Sequence, residues 1–211
     1  QGSLLMTELL AAFIFFFAVI DPIGTVPVFI AVTRWDDAKF KRKVALKAVG
    51  VSALVLLFFV IAGELLLNAI KIPLSAFQIA GGIVLLLFAL SMIFGESKPE
   101  SEIKSVRDST ETAIFPLAIP SIASPGAMLG AVLMTRNNEY TWLEQLVTSA
   151  IMLSVLIIVL VLLLLATQVH KLIGDSGASI ISRVMGLILS SVAVTNILGG
   201  IAHYFGLSVV G

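Results

Sequence analysis

The sequence predicts an all-α membrane protein of six transmembrane helices, built as a 3+3 inverted-topology repeat with helices 1 and 4 broken near the midplane. Three observations carry this reading. The chain is 59% hydrophobic and only 12% charged over 211 residues, about half the charge of an ordinary soluble domain. Runs such as VSALVLLFFVIAG and IMLSVLIIVLVLLLLATQ suit bilayer-crossing helices of about 20 residues. Two stretches, DPIGTVPVFIAVTR (21–34) and SPGAMLGAVLMTR (124–136), interrupt apolar runs in the same way, one in each half.

Apolar runs set against helix breakers place the elements in order. Residues 1–5 stand apart: QGS reads as the remnant of a cleaved purification tag, with Met6 as the natural start. The first repeat, 6–95, holds spans 7–33, 44–70 and 73–94. A polar linker, 96–110 (ESKPESEIKSVRDST), follows. The second repeat, 111–211, holds spans 111–135, 143–169 and 178–205. An even number of spans joined by short loops returns both termini to one side. Of the 13 basic residues, only Lys71 and Arg136 fall on that side. Arg34, Lys39, Lys41, Arg42, Lys43, Lys47, Lys98, Lys104, Arg107, Lys171 and Arg183 fall on the other. The positive-inside rule makes the rich side, with the linker, cytoplasmic. The expectation is a multi-pass protein of the cell (inner) membrane with both termini outside. Trp35 and Trp142 lie just past spans 1 and 4 and suit interfacial anchoring.

Other classes are disfavoured. The chain has no cysteine, hence no disulfide or thiolate chemistry. Its 13 basic and 13 acidic residues balance, with no basic tract for nucleic acid. His170 and His203 sit near opposite span ends, so no metal site is expected. A single Asp lies deep in a span, without a Ser–His pair, zinc motif or phosphate loop, so the chain is not expected to be an enzyme.

The two halves resemble each other. FQIAGGIVLLLFALSMIFG (77–95) lies against SRVMGLILSSVAVTNILGG (182–200), with Gly81 opposite Gly186. Pro22 and Pro125 are 103 positions apart and the two glycines 105, a near-constant offset. An odd number of spans per repeat turns the second copy upside down, as in many secondary transporters.

The breaks then acquire a purpose. Asp21-Pro22 starts a helix: the carboxylate caps backbone donors, and proline at N1 has no N–H to leave unpaired. Ser124-Pro125 repeats the arrangement. Arg34 and Arg136 close the two second halves, where a cation suits the helix end. With inverted repeats the two half-helix N-termini converge and favour an anion, while Gly24 and Gly126 let a ligand approach the backbone. An amino acid's carboxylate between these ends would meet N–H groups near Gly24, Thr25, Gly126 and Ala127. Asp21 would cap the helix and could meet a substrate ammonium or a coupling cation. Glu64, near the outer end of span 2, is expected to snorkel or to pair with Lys71. Gln78 and Arg183 occupy equivalent places in spans 3 and 6 and are expected to satisfy carbonyls freed by the breaks. Thr195 and Asn196 read as glue between helices, and Gly81, Gly82 and Gly186 as points of close packing.

DPIGTVPVF, FQIAGGI, FPLAIPSIASPGAM and ISRVMGLIL, in this order, resemble the MarC family of six-span membrane proteins, whose characterised members include small neutral amino acid transporters. The resemblance covers nearly the whole chain from Thr7. It implies secondary active transport of glycine, alanine or serine by alternating access, driven by a cation gradient, with protons expected before sodium and no other cofactor. Members often carry asparagine at the place of Asp21, glycine at that of Ser124 and arginine at that of Gln78, which puts weight on backbone groups. The expected substrate site is Asp21, Pro22, Gly24, Thr25, Ser121, Ser124, Pro125, Gly126 and Ala127, with Asp21, Gln78, Arg183 and Asn196 in coupling or supporting places. Its expected partners are a small neutral amino acid and the bilayer. Export of another small metabolite or drug, and a non-transporting membrane scaffold, are the alternatives.

Overall fold

The structure is a computed structural model that describes residues 2–33, 36–94, 113–137 and 139–207. The linker 96–110, the start of the fourth span at 111, Arg34 and Trp35 lie outside the described residues. Among the described residues all regular structure is helical.

Helix α1 (Gly2–Ile20) runs through Met6 and stops one residue before Pro22, and α2 (Pro22–Val32) begins at that proline. Helix α3 (Ala38–Ala69) starts at Asp37, whose carboxylate accepts the Phe40 N–H at 2.8 Å. A turn through Lys71, at φ 54, leads into α4 (Leu74–Phe94). After the linker comes a π-helix (Ala113–Ile122), then α5 (Pro125–Leu133). Helix α6 (Trp142–Leu164) opens with a reciprocal cap between Thr141 and Glu144. Helix α7 (Ala166–Phe205) completes the bundle.

Among the described residues five helical stretches are long and apolar enough to cross a membrane: Met6–Val32, Ala38–Ala69, Ser75–Phe94, Trp142–Leu164 and Ala166–Tyr204. The expectation of six departs at the fourth span. Its described part is a π-helix of 10 residues and an α-helix of 9, neither long enough alone. Pro116, Pro120 and Pro125 explain the fragmentation, because each withholds a backbone donor from an i→i−4 ladder. A wider turn instead closes the segment, with the Ala123 N–H donating to Ala118 O at 2.8 Å.

Spans 5 and 6 also differ from expectation. A loop is expected between 169 and 178, but α6 stops at Leu164 and α7 runs through this region. It leaves helical geometry only at Gly174 (φ 68, ψ 175). Within polar HKLIGDSG the helix is interrupted at this one residue, so that α7 is two helical segments meeting at a kink inside the expected interval. Gly174 supplies the bend, since no Cβ opposes a positive φ.

Helices α4 and α7 pack along much of their length, through glycines. A Cβ at Gly82 would meet Ala193 O at 2.9 Å, and one at Gly186 would meet Ala89 O at 3.0 Å. Gly81 instead faces Leu129 on α5. Elsewhere α1 and α2 pack on α6, α3 packs on the π-helix, α5 and α6, and α2 and α5 touch α7 and α4 respectively. Phe16, Ile20, Leu85, Leu117, Ile122, Met152, Leu156 and Leu189 are fully buried between these elements. The outside is apolar as well: Leu54, Phe58, Ile61 and Leu65 on α3 and Ile157 and Val161 on α6 are exposed. A surface as oily as the core is stable only against lipid.

Candidate functional site

Two helix breaks, at Asp21 and at Ser124, lie side by side in the buried centre. The Asp21 N–H donates to Phe17 O at 3.0 Å, the last bond of α1, and Asp21 O accepts the Thr25 N–H at 3.2 Å, the first of α2. Asp21 itself is left-handed (φ 51, ψ 67). This conformation costs about 1–2 kcal/mol for most L-residues and is best tolerated by Gly, Asn and Asp. It turns one helix into the next with a single residue. Ser124 caps the second break in extended geometry (φ −69, ψ 159), with Ala123 as an added connecting residue. The breaks thus match in capping chemistry but not in backbone shape.

Each cap is engaged. Asp21 Oδ1 accepts the Gly24 N–H at 3.0 Å, and Ser124 Oγ accepts the Ala127 N–H at 3.1 Å. Two bonds cross between the breaks. Ser124 Oγ donates to Val19 O at 3.2 Å, a carbonyl at the interrupted end of α1. Thr25 Oγ1 donates to Asp21 O at 3.0 Å and lies 3.4 Å from Ser121 Oγ. Ser52, on α3, donates to Ala48 O and to Ala118 O, tying α3 to the π-helix (2.8 and 3.4 Å).

The carboxylate has one further partner, which sequence reasoning misses. Ser182 on α7, itself buried, donates from Oγ to Asp21 Oδ2 at 2.7 Å. The signal was periodicity: Ala178, Ser182, Gly186, Leu189 and Ala193 form the buried stripe of α7, at spacings of one helical face. Among the described residues no cation pairs with Asp21, although it is 1% exposed.

The remaining candidates divide. Pro22 and Gly126 are buried beside the caps, whereas Pro125 is exposed. Arg183 is exposed while its neighbour Ser182 is buried, so Arg183 does not satisfy carbonyls inside the break. Gln78 lies against Gly199, and the Asn196 amide donates to Val192 O of its own helix at 3.2 Å; neither joins the Asp21 network. Glu64 does not pair with Lys71 among the described residues; it accepts the Asn137 N–H at 2.6 Å. Arg136 donates from Nε to Leu133 O at 3.1 Å, closing α5 as a cation should.

The room expected beside the two glycines is filled. A Cβ on Gly24 would strike the Asp21 carboxylate and meet Ser182 Oγ at 2.6 Å. One on Gly126 would meet Val19 at 2.7 Å and Leu85 at 3.0 Å. The N–H groups of Gly24, Thr25 and Ala127 are likewise held by the caps. Asp21, Thr25, Ser121 and Ser124 are all shut off from solvent in this arrangement.

Comparison with known proteins finds relatives that are membrane proteins. A family profile described as MarC family integral membrane protein matches residues 6–205. The chain is 39% identical over 193 residues to UPF0056 membrane protein MJ1677 of Methanocaldococcus jannaschii, covering 90% of this chain and 94% of that one. It is 30% identical over 200 residues to UPF0056 membrane protein BU449 of Buchnera aphidicola (95% and 99% covered). It is 31% identical over 199 residues to UPF0056 inner membrane protein YhgN of Escherichia coli K12 (93% and 97% covered). No solved structure matches the chain.

Proposed function

The chain belongs to the MarC family of integral membrane proteins, and from that premise we propose that it is a secondary active transporter of small neutral amino acids, coupled to protons. The observation that carries this reading is the buried Asp21 carboxylate at a helix break, bonded to Gly24 and Ser182 without a counter-cation among the described residues. An ionisable group inside a membrane bundle is expensive, about 2.5–3.5 kcal/mol on insertion scales, and marks substrate or ion pathways. A substrate ammonium or a coupling proton would compensate that charge. The substrate carboxylate would take over backbone donors of α2 and α5 as the caps release them. That exchange needs the closed packing around Gly24 and Gly126 to open, which alternating access would provide.

Six spans in two inverted repeats form part of the same proposal. The pairing of elements supports it. Exchanging the halves maps the α1–α6 contact onto that of the π-helix with α3, α2–α6 onto α5–α3, and α2–α7 onto α5–α4. Gly82 faces Ala193 as Gly186 faces Ala89, and residues 82 and 186, like 89 and 193, are each 104 positions apart.

Counterflow in proteoliposomes tests the function. Vesicles preloaded with glycine should accumulate labelled glycine and alanine, serine less and leucine hardly at all, and an imposed proton gradient should drive net uptake where a sodium gradient does not. Vesicles that show no counterflow of any of the four would rule the reading out. Orientation is tested separately, in a chain with no native cysteine. A single cysteine in the 96–110 linker should be shielded from an impermeant thiol reagent outside intact cells, and Asn138→Cys labelled. The opposite pattern would place both termini inside.

A further inference from the structure

Helix α3 has 32 residues, about 48 Å at 1.5 Å per residue, against a hydrocarbon core of about 30 Å. It overshoots, and the overshoot carries the charge. In AKFKRKVALKA (38–48) the side chains of Val44, Ala45 and Ala48 are buried, while Lys39, Arg42, Lys43 and Lys47 are exposed alongside Phe40 and Leu46. Cations and large apolar side chains on one exposed surface suit the lipid headgroup zone.

Between this segment and the junction of α6 with α7 lies a cleft of about 440 Å³, lined by Phe29, Lys41, Arg42, Leu163, Leu164 and Gln168 among others. Two cations line it and, among the described residues, no acid does. Among the described residues neither Lys41 nor Arg42 is engaged in an ion pair. Asp37, which begins the helix, is committed to the Phe40 N–H at 2.8 Å. A groove sharing Arg42 continues the surface through Lys39, Lys43 and Lys47, which outnumber the one acid of its described lining, Asp37. On the other side Leu164 continues into Val161 and Ile157, all three exposed and spaced to share one helix face.

We propose that this cleft binds an anionic phospholipid, with its phosphate between Lys41 and Arg42 and an acyl chain along Leu164, Val161 and Ile157. Two uncompensated cations call for a net negative headgroup, and the guanidinium fork of Arg42 matches phosphate oxygens. A zwitterionic headgroup would bring a cation of its own. A free phosphate would use the charges but leave the aliphatic stripe without a partner. Phe29 belongs to α2, so the lipid would rest against the half-helix that starts at Asp21 and join it to α3, α6 and α7.

The test uses the full chain in detergent, with phosphatidylglycerol, phosphatidylcholine and inorganic phosphate as probes, read by native mass spectrometry and thermal stability. Phosphatidylglycerol should stay bound and raise the melting temperature where phosphatidylcholine does not. Lys41→Gln with Arg42→Gln should weaken it by roughly tenfold or more, while Lys39→Gln with Lys47→Gln should have a much smaller effect. Leu164→Asn, which leaves every charge in place, should weaken the lipid without changing the response to phosphate. Equal losses in the two double variants would reduce the site to diffuse surface charge. Equal retention of phosphatidylcholine would remove the headgroup selectivity, and phosphate displacing the lipid with Leu164→Asn silent would make the ligand a free anion. Any of these overturns the proposal.

Discussion

Asp21→Asn is expected to leave the protein folded and to abolish proton-driven uptake. Asparagine caps helices as well as aspartate and is among the few side chains that tolerate the left-handed geometry at this position. Its Oδ1 can still accept the Gly24 N–H, 3.0 Å from the native carboxylate, and its Nδ2 can donate to Ser182 Oγ, 2.7 Å away, once the serine turns its own proton elsewhere. The negative charge is lost and the bond with Ser182 reverses its direction, while the cap and the backbone geometry are kept. If that charge receives the coupling proton or the substrate ammonium, its removal forfeits a charge-assisted bond of about 1.5–3 kcal/mol, roughly tenfold to a hundredfold in binding. Asp21→Ala should behave differently. It loses the cap, about 1 kcal/mol, and forces a Cβ residue with no compensating hydrogen bond into positive φ. Unfolding should therefore accompany loss of transport in alanine but not in asparagine. Glycine counterflow and proton-driven uptake, measured beside circular dichroism of each variant, separate the two roles. Undiminished proton-driven uptake by Asp21→Asn would leave this residue as a helix cap alone and remove the observation on which the functional reading stands.

The breaks themselves are legible in the sequence because their cause is local. Asp-Pro and Ser-Pro each supply a cap and a residue without N–H, and α2 and α5 begin at Pro22 and Pro125 as that chemistry requires. The close-packing role of Gly82 and Gly186 is legible too, since small residues in apolar spans point to helix contact. What escapes sequence reasoning depends on which face of a helix meets which neighbour. Arg183 draws attention by its charge, yet one residue back Ser182 is turned onto Asp21, 161 positions away. Polarity between 170 and 177 suggests a loop; the chain does break there, but at the single residue Gly174, with helix on both sides. The fourth span is apolar enough for a helix, but closely spaced prolines divert it into a π-helix. The glycines at the breaks look like open floor in a sequence; in the folded chain Asp21, Ser182, Val19 and Leu85 occupy that space.

Substituting valine for Gly82 or Gly186 should carry a large stability cost. At both positions the obstacle includes backbone of the facing helix, beside side-chain atoms of Ile197 and Met92. The added Cβ of residue 82 would lie 2.9 Å from Ala193 O and 3.1 Å from Ile197 N, and that of residue 186 would lie 3.0 Å from Ala89 O. A carbonyl inside a helix cannot rotate away as a side chain can, so α4 and α7 must separate along a seam where they otherwise touch closely. Overpacking of this kind costs about 1–3 kcal/mol and occasionally more, roughly 2–12 °C of melting temperature in a chain of this size. Gly50 supplies the control, because a Cβ there meets nothing within 4 Å. Gly50→Ala should be neutral or stabilising by up to about 1 kcal/mol, the ordinary gain of alanine over glycine within a helix. Thermal unfolding of the three variants in one detergent, followed by circular dichroism, decides the matter. A further consequence follows from the exchange of contacts between the halves: Gly82→Val and Gly186→Val should cost similar amounts, because each glycine opposes the counterpart of the other's partner. A folded Gly82→Val variant melting with the parent protein would mean that α4 and α7 are not in backbone contact. A large cost at one glycine and none at the other would leave the contact standing but break the equivalence of the two halves.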